Sequence, residues 1–188
     1  MIVDSDVDRS TQIKHLLLEK AFDVVTLIDH DINLHDQCRK ITPDIVIIVT
    51  ESPSCETLNK LCVMSQYDPR PVLIFTHDAN KEKIKAATQA GASAYVVGSI
   101  SNERLIPVID AAVARFEEVK HLRHELKLAN LKLNERKVVE RAKGLLMKQR
   151  NLDEEEAYVL LRNMAMKRNI KLVDLAKQLL EAAKMLII

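Results

Sequence analysis

Val139-Glu140-Arg141-Ala142-Lys143-Gly144-Leu145-Leu146-Met147 sets a glycine inside a run that otherwise reads as strong helix. A helix-interior glycine costs roughly 1 kcal/mol against alanine, so the position asks for a reason. Either it is a tolerated imperfection, or a second backbone, another helix or a phosphate comes close there. At helical periodicity Val138, Ala142, Leu145 and Leu146 share one face, which predicts packing against later helices. Lys137, Arg141, Gly144 and Lys148 share another, with Arg136 and Lys143 beside it. That second face is a cationic strip with a gap at the glycine or, on the plainer reading, a solvated helix surface.

Upstream, no turn signal interrupts the chain between about Asn102 and Asn151, and Pro107 falls where a helix tolerates it, near the start. Leu105, Ile109, Ala112, Phe116 and Val119 step by four and three, and Leu122, Leu126, Ala129 and Leu133 resume after a three-residue step. The spacing predicts a coiled coil with one stammer. The alternative is a long helix packed on its own domain, but Glu117 to Lys137 is too charged off the seam to be buried all round. A homodimer is therefore expected, with Val119, Leu122, Leu126, Ala129 and Leu133 as its seam. Past Leu133 the seam loses its apolar character while the Val138 and Ala142 face gains it, so the helix changes partners.

Downstream, Asn151 to Glu156 supplies a turn and an acidic first turn, with Asn151 or Asp153 as cap. A helix to Arg168, a break at Asn169 and a last helix from about Leu172 to Met185 complete a three-helix module. In the middle helix Ala157, Leu160, Leu161 and Met164 form one face. Tyr158, Arg162, Ala165 and Met166 form another, beside Lys167 and Arg168. If the first is core, the second suits a nucleic acid; otherwise Tyr158 and Met166 extend the core.

The first half of the chain alternates short apolar runs with amphipathic segments, the pattern of βαβ units and a parallel sheet. Strands are expected at Met1 to Val3, Val24 to Ile28, Ile45 to Val49, Val72 to Phe75 and Tyr95 to Val97. Helices are expected near 9–20, 31–41, 54–66 and 80–90, the last ended by Gly91. The fold class is thus a flavodoxin-like α/β domain, then a long helix and an all-α module.

Among 188 residues only 3 are Gly and 5 Pro, so a helix is the expected connector between two modules. The net charge of +1 divides unevenly: residues 134–188 hold 12 Lys/Arg against 8 Asp/Glu, and the remainder 16 against 19. A basic module behind an acidic one suits an anionic partner. Cys38, Cys55 and Cys62 are odd in number and lack metal-ligand spacing, which predicts reduced, mostly buried thiols. With no signal peptide or membrane-length apolar run, a cytoplasmic protein is expected. His121 and His124 share a helix face without further ligands, so neither a metal nor another cofactor is expected. No nucleophile has a positioned base and no Gly-rich loop cradles phosphate, so no enzyme is expected.

The run Arg141-Ala-Lys-Gly-Leu-Leu-Met147, with Glu155-Glu-Ala-Tyr158, Leu161-Arg162, Ala165-Met166 and Leu172 to Ala176, resembles the ANTAR domain, the RNA-binding output module of bacterial antitermination regulators. The first half resembles a response-regulator receiver. Ala94-Tyr-Val-Val97, Leu105-Ile-Pro-Val-Ile-Asp110 and Ala114-Arg-Phe116 are similar to the NasT type of nitrate-assimilation antiterminators. The resemblance implies a receiver-like domain at 1–115, a coiled-coil linker at 116–134 and an ANTAR domain at 135–188.

It also implies a protein that binds leader-RNA hairpins as a coiled-coil dimer and prevents termination. Arg136, Arg141, Lys143, Lys148, Arg162, Lys167 and Arg168 would then neutralise phosphates, Gly144 would permit close approach, and Tyr158, Ala165 and Met166 would meet loop bases. A receiver needs an acidic pair, an acceptor carboxylate, a hydroxyl and a lysine. The matching positions here are Asp4, Ser5 and Asp6, then Val49, Thr76 and Gly98. Since valine accepts no phosphate, a pseudo-receiver is expected, controlled by a nitrate- or nitrite-responsive sensor protein. A DNA-binding response regulator is the alternative, although no tight glycine turn joins two short helices.

Overall fold

In the computed structural model residues 1–4, 7–27, 33–98 and 101–185 are described, the side chains of 7–9, 102 and 184 excepted. They form two compact units, Met1–Lys120 and a second from His121 onward.

The first unit runs β1 (Ile2–Asp4), α1 (Val7–Leu18), β2 (Thr26–Leu27), α2 (Leu34–Ile41), β3 (Val46–Val49), α3 (Cys55–Tyr67), β4 (Val72–Thr76), α4 (Lys81–Ala90) and β5 (Ala94–Val97) into α5 (Asn102–Arg150). The strands make one parallel sheet in the order β2-β1-β3-β4-β5. Alternation sends successive strand residues to opposite faces. Val46, Ile48, Val72 and Ile74 pack with Leu34, Cys38, Leu61, Met64 and Ala87 from α2, α3 and α4. Ile47, Val49, Leu73 and Phe75 pack with Ile13 and Leu17 from α1 and with Leu105, Ile109 and Ala112 from α5. This second layer corrects the expected seam: its first three positions are core of the α/β unit, so no coiled coil begins before Val113.

Polar side chains start the helices. Asn33, Ser54 and Asn80 each accept a backbone N–H of the first turn. Gly91 ends α4 with φ 108°, and a Cβ there would overlap the Ser65 side chain. Of the thiols only Cys38 is buried; Cys55 is exposed and Cys62 half-buried, because α3 turns only Leu61 and Met64 fully inward. The expected second strand shrinks to Thr26–Leu27; Ile28 and the first residues of the helix expected at 31–41 lie outside the described residues.

The second unit packs the later part of α5 against α6 (Glu154–Lys167) and α7 (Leu172–Met185). Its core is Ala142, Leu146, Ala157, Leu161, Ala165, Leu175 and Ala176. With four alanines among seven residues, little side-chain bulk separates the helix backbones. Val139 and Met147 join Val138 against this core, so the buried stripe of α5 is rotated from the expected one, away from Leu145. Asn151 (φ 53°) and Asn169 (φ 52°) take the left-handed conformation after α5 and α6, which asparagine tolerates better than most residues. Asp153 caps α6 in a reciprocal box: it accepts from Glu156 N at 2.8 Å, while the Glu156 carboxylate accepts from Asp153 N at 3.0 Å.

Candidate nucleic-acid interface

On α5 the side chains of Arg136, Lys137, Arg141 and Lys148 are exposed, and Gly144 lies half-exposed among them. A Cβ built on Gly144 meets nothing within 4 Å. Among the described residues, no other part of the chain approaches the glycine closely enough to require it. Lys143 departs further from expectation. Its side chain is 9% exposed, and its ammonium lies 2.7 Å from Glu140 Oε2 and 2.7 Å from Glu154 Oε1. Those two carboxylates hold its pKa above the usual lysine value. The ammonium joins α5 to the first turn of α6 instead of standing in the open strip. The pairing with Glu140, three residues back, was readable from spacing; the pairing with Glu154 needed the fold.

Glu154, Tyr158, Arg162 and Met166 recur every fourth residue and so lie along one side of α6. Tyr158, Arg162 and Met166 are exposed, Met166 at 66%. Val159, not anticipated, is exposed beside them. Lys167 and Arg168 are exposed at the end of the helix. Ala165 is only 4% exposed and belongs to the core, which corrects its placement among base contacts: it falls between the Leu161 and Tyr158 faces, and the core takes it. The Lys143–Glu154 bridge thus stands where the α5 strip and the α6 stripe come together.

Earlier along α5, Leu122, Leu126, Ala129 and Leu133 are all exposed and Val119 is half-buried. Leu126 is 63% exposed. These three leucines and one alanine, spaced by four, three and four residues, leave an apolar stripe of α5 open to water.

At the carboxyl end of the sheet, strand register sets Asp4 beside Val49, Val49 beside Phe75, and Thr76 beside Val97. Asp4, Val49 and Thr76 are buried. Ser5 and Asp6 lie outside the described residues. Thr76 Oγ1 donates to Glu51 O at 2.7 Å and accepts from Asp78 N at 3.1 Å. Gly98, at φ 103°, donates its N–H to Thr76 O at 2.9 Å.

A network unforeseen from the sequence joins the loops after β3 and β4. Ser52 Oγ donates to Asp78 Oδ2 at 2.6 Å, Lys83 Nζ lies 2.9 Å from the same oxygen and also bonds Ser52, and Asn80 N donates to Asp78 Oδ1 at 2.9 Å. Tyr95 Oη donates to Asp78 O at 2.9 Å. The Ser52 and Lys83 bonds, with the Asn80 amide, lower the Asp78 pKa to about 2. Among the described residues no cluster of His, Cys, Asp and Glu has the geometry to hold a metal ion, and no helix is long and apolar enough to cross a membrane.

A doubly wound parallel sheet feeding its last helix into a helical module with an exposed basic face defines a receiver-type regulator with a separate output unit. The ANTAR domain pattern matches residues 129–180. The transcriptional regulatory protein PdtaR of Mycobacterium tuberculosis is 32% identical over 139 residues, covering 74% of this chain and 68% of that protein. The nitrate regulatory protein of Klebsiella oxytoca is 44% identical over 69 residues, 33% of this chain and 17% of that one. The activated receiver domain of Klebsiella pneumoniae RstA superposes with a TM-score of 0.53 at 18% identity, over 60% of this chain and 95% of its own, a likeness of fold. The chain belongs to the ANTAR-domain family of antitermination response regulators.

Proposed function

We propose that this protein binds leader-RNA hairpins as a homodimer and thereby prevents transcription termination. The observation that carries the reading is the outward stripe of Tyr158, Arg162 and Met166 on α6, beside the open cations of α5, in a unit whose core is already filled from the opposite side of α6. Exposed aromatic, thioether and guanidinium groups offer stacking surfaces for unpaired bases, and lysine and arginine neutralise phosphates. An A-form stem hides its major groove, so selectivity falls to single-stranded loop nucleotides. The exposed seam supports pairing of two output units, which suits a leader carrying two hairpins.

The α/β unit then carries the signal by contact with another protein instead of by phosphate, since Val49, buried at the end of β3, would stand where an acceptor carboxylate is expected. Similarity to the nitrate regulatory protein favours nitrate or nitrite as the first effector to test, sensed by a separate protein. The reading is tested by a gel shift with hairpin RNA of randomised loop, beside duplex DNA of equal length, at two salt concentrations. Retention of particular RNA loops that weakens with salt is expected, and Arg162→Ala should lower affinity without unfolding the chain. Preference for the duplex, or binding of neither, would overturn it.

A further inference from the structure

Lys143 is the one basic residue of the α5 strip whose charge is already committed, and its partners stand in the strip's way. Glu140 lies four residues before Gly144, directly under the gap and between Lys137 and Arg141 on one side and Arg136 on the other. Glu154 opens the stripe that continues through Tyr158 and Arg162. The side chains of both glutamates are more than half exposed, whereas the Lys143 side chain between them is 9% exposed. Two acidic groups on a surface meant for phosphates would repel them, since like charges brought together across an interface cost several kcal/mol. Here the two carboxylates share one cation inserted between the two helices, which leaves the cluster one negative charge instead of two.

We propose that Lys143 is a positioning residue of the nucleic-acid face: its ammonium draws Glu140 and Glu154 together between α5 and α6, offsets half of their charge and keeps the phosphate path open. This rests on the RNA-binding reading and adds to it the reason a strip of cations carries a glutamate at its centre. Lys143 touches no RNA on this account; it acts through two carboxylates. That separates it from Arg141 or Lys148, whose loss removes a phosphate contact outright.

The test compares full-length wild type, Lys143→Gln, Glu140→Gln with Glu154→Gln, and the triple variant, by titration against hairpin RNA with a randomised loop. Circular dichroism melting accompanies each. Lys143→Gln should weaken binding about tenfold, as expected when two unmasked anions face phosphates, and the triple variant should recover to within about threefold of wild type. Recovery is the readout that neither a fold defect nor a lost phosphate contact would produce. If Lys143→Gln does not fold, the double glutamine variant decides alone: binding equal to or tighter than wild type is expected, and weaker binding would make the carboxylates RNA contacts and overturn the assignment. Wild type that binds while Lys143→Gln binds equally well, or a triple variant that stays weak, overturns it too. Wild type that binds no hairpin overturns the RNA reading itself, and this assignment with it.

Discussion

Gly144 is where a single atom tells most. Beyond its own helix, none of the described residues lies within 4 Å of the Cβ it lacks, and its backbone is helical, so Gly144→Ala should stabilise the second unit by roughly 1 kcal/mol, raising its melting temperature by about 4–8 °C. If a phosphate uses the gap, the same variant should bind RNA more weakly while being more stable; a thermal melt and a titration on one preparation check both. Asp78 offers a second residue-level outcome. Its folded pKa of about 2 lies below the ordinary value of 3.8, so its contribution to stability is complete above about pH 4 and is lost as pH falls toward 2. Asp78→Asn should lower stability at neutral pH and flatten acid unfolding across that window, as followed by circular dichroism. Two residues of the candidate interface misjudged from sequence, Lys143 and Ala165, were misjudged for one reason. Each was assigned by its position on its own helix, and each is claimed by the neighbouring helix.

At the scale of elements, α5 serves three environments in turn. Leu105, Ile109 and Ala112 seal one face of the sheet, the leucines from Leu122 to Leu133 stay open to water, and Ala142 and Leu146 enter the helical core. Periodicity revealed a continuous helix whose apolar face shifts past Leu133 toward Val138 and Ala142. It could not show where the sheet releases the helix, because a sheet and a second helix ask for the same spacing of apolar side chains. The seam leucines support neither core, so Leu122→Glu with Leu126→Glu should leave the melting of both units unchanged while weakening self-association by a hundredfold or more, given about 1.5–3 kcal/mol per buried leucine counted in each chain. Sedimentation equilibrium reads that outcome. Gly91 gives the opposite case: a side chain there meets Ser65 and a positive φ, so Gly91→Ala should destabilise the first unit by about 1–3 kcal/mol in urea unfolding.

For the whole molecule, the carboxyl end of the sheet holds a buried valine where an acceptor would stand, and a glycine where a lysine would. Incubation with acetyl phosphate should therefore leave the chain unlabelled and its RNA affinity unchanged; stoichiometric labelling, read by intact mass, would refute control by protein contact alone. The alternating strands and helices of the first unit and the three helices of the output unit were legible in the alternation of apolar runs and in the asparagine, aspartate and glycine stops, because those signals are local and set by backbone stereochemistry. The family, too, was legible in spaced motifs of the last third of the chain. Tertiary structure alone decided which charges remain available: it bound Lys143 between two glutamates, joined Asp78 to Ser52 and Lys83 across separate loops, and drew Ala165 inward. The physical reason is that a charge's availability depends on what stands within a few ångströms of it, and folding brings those neighbours from distant parts of the chain.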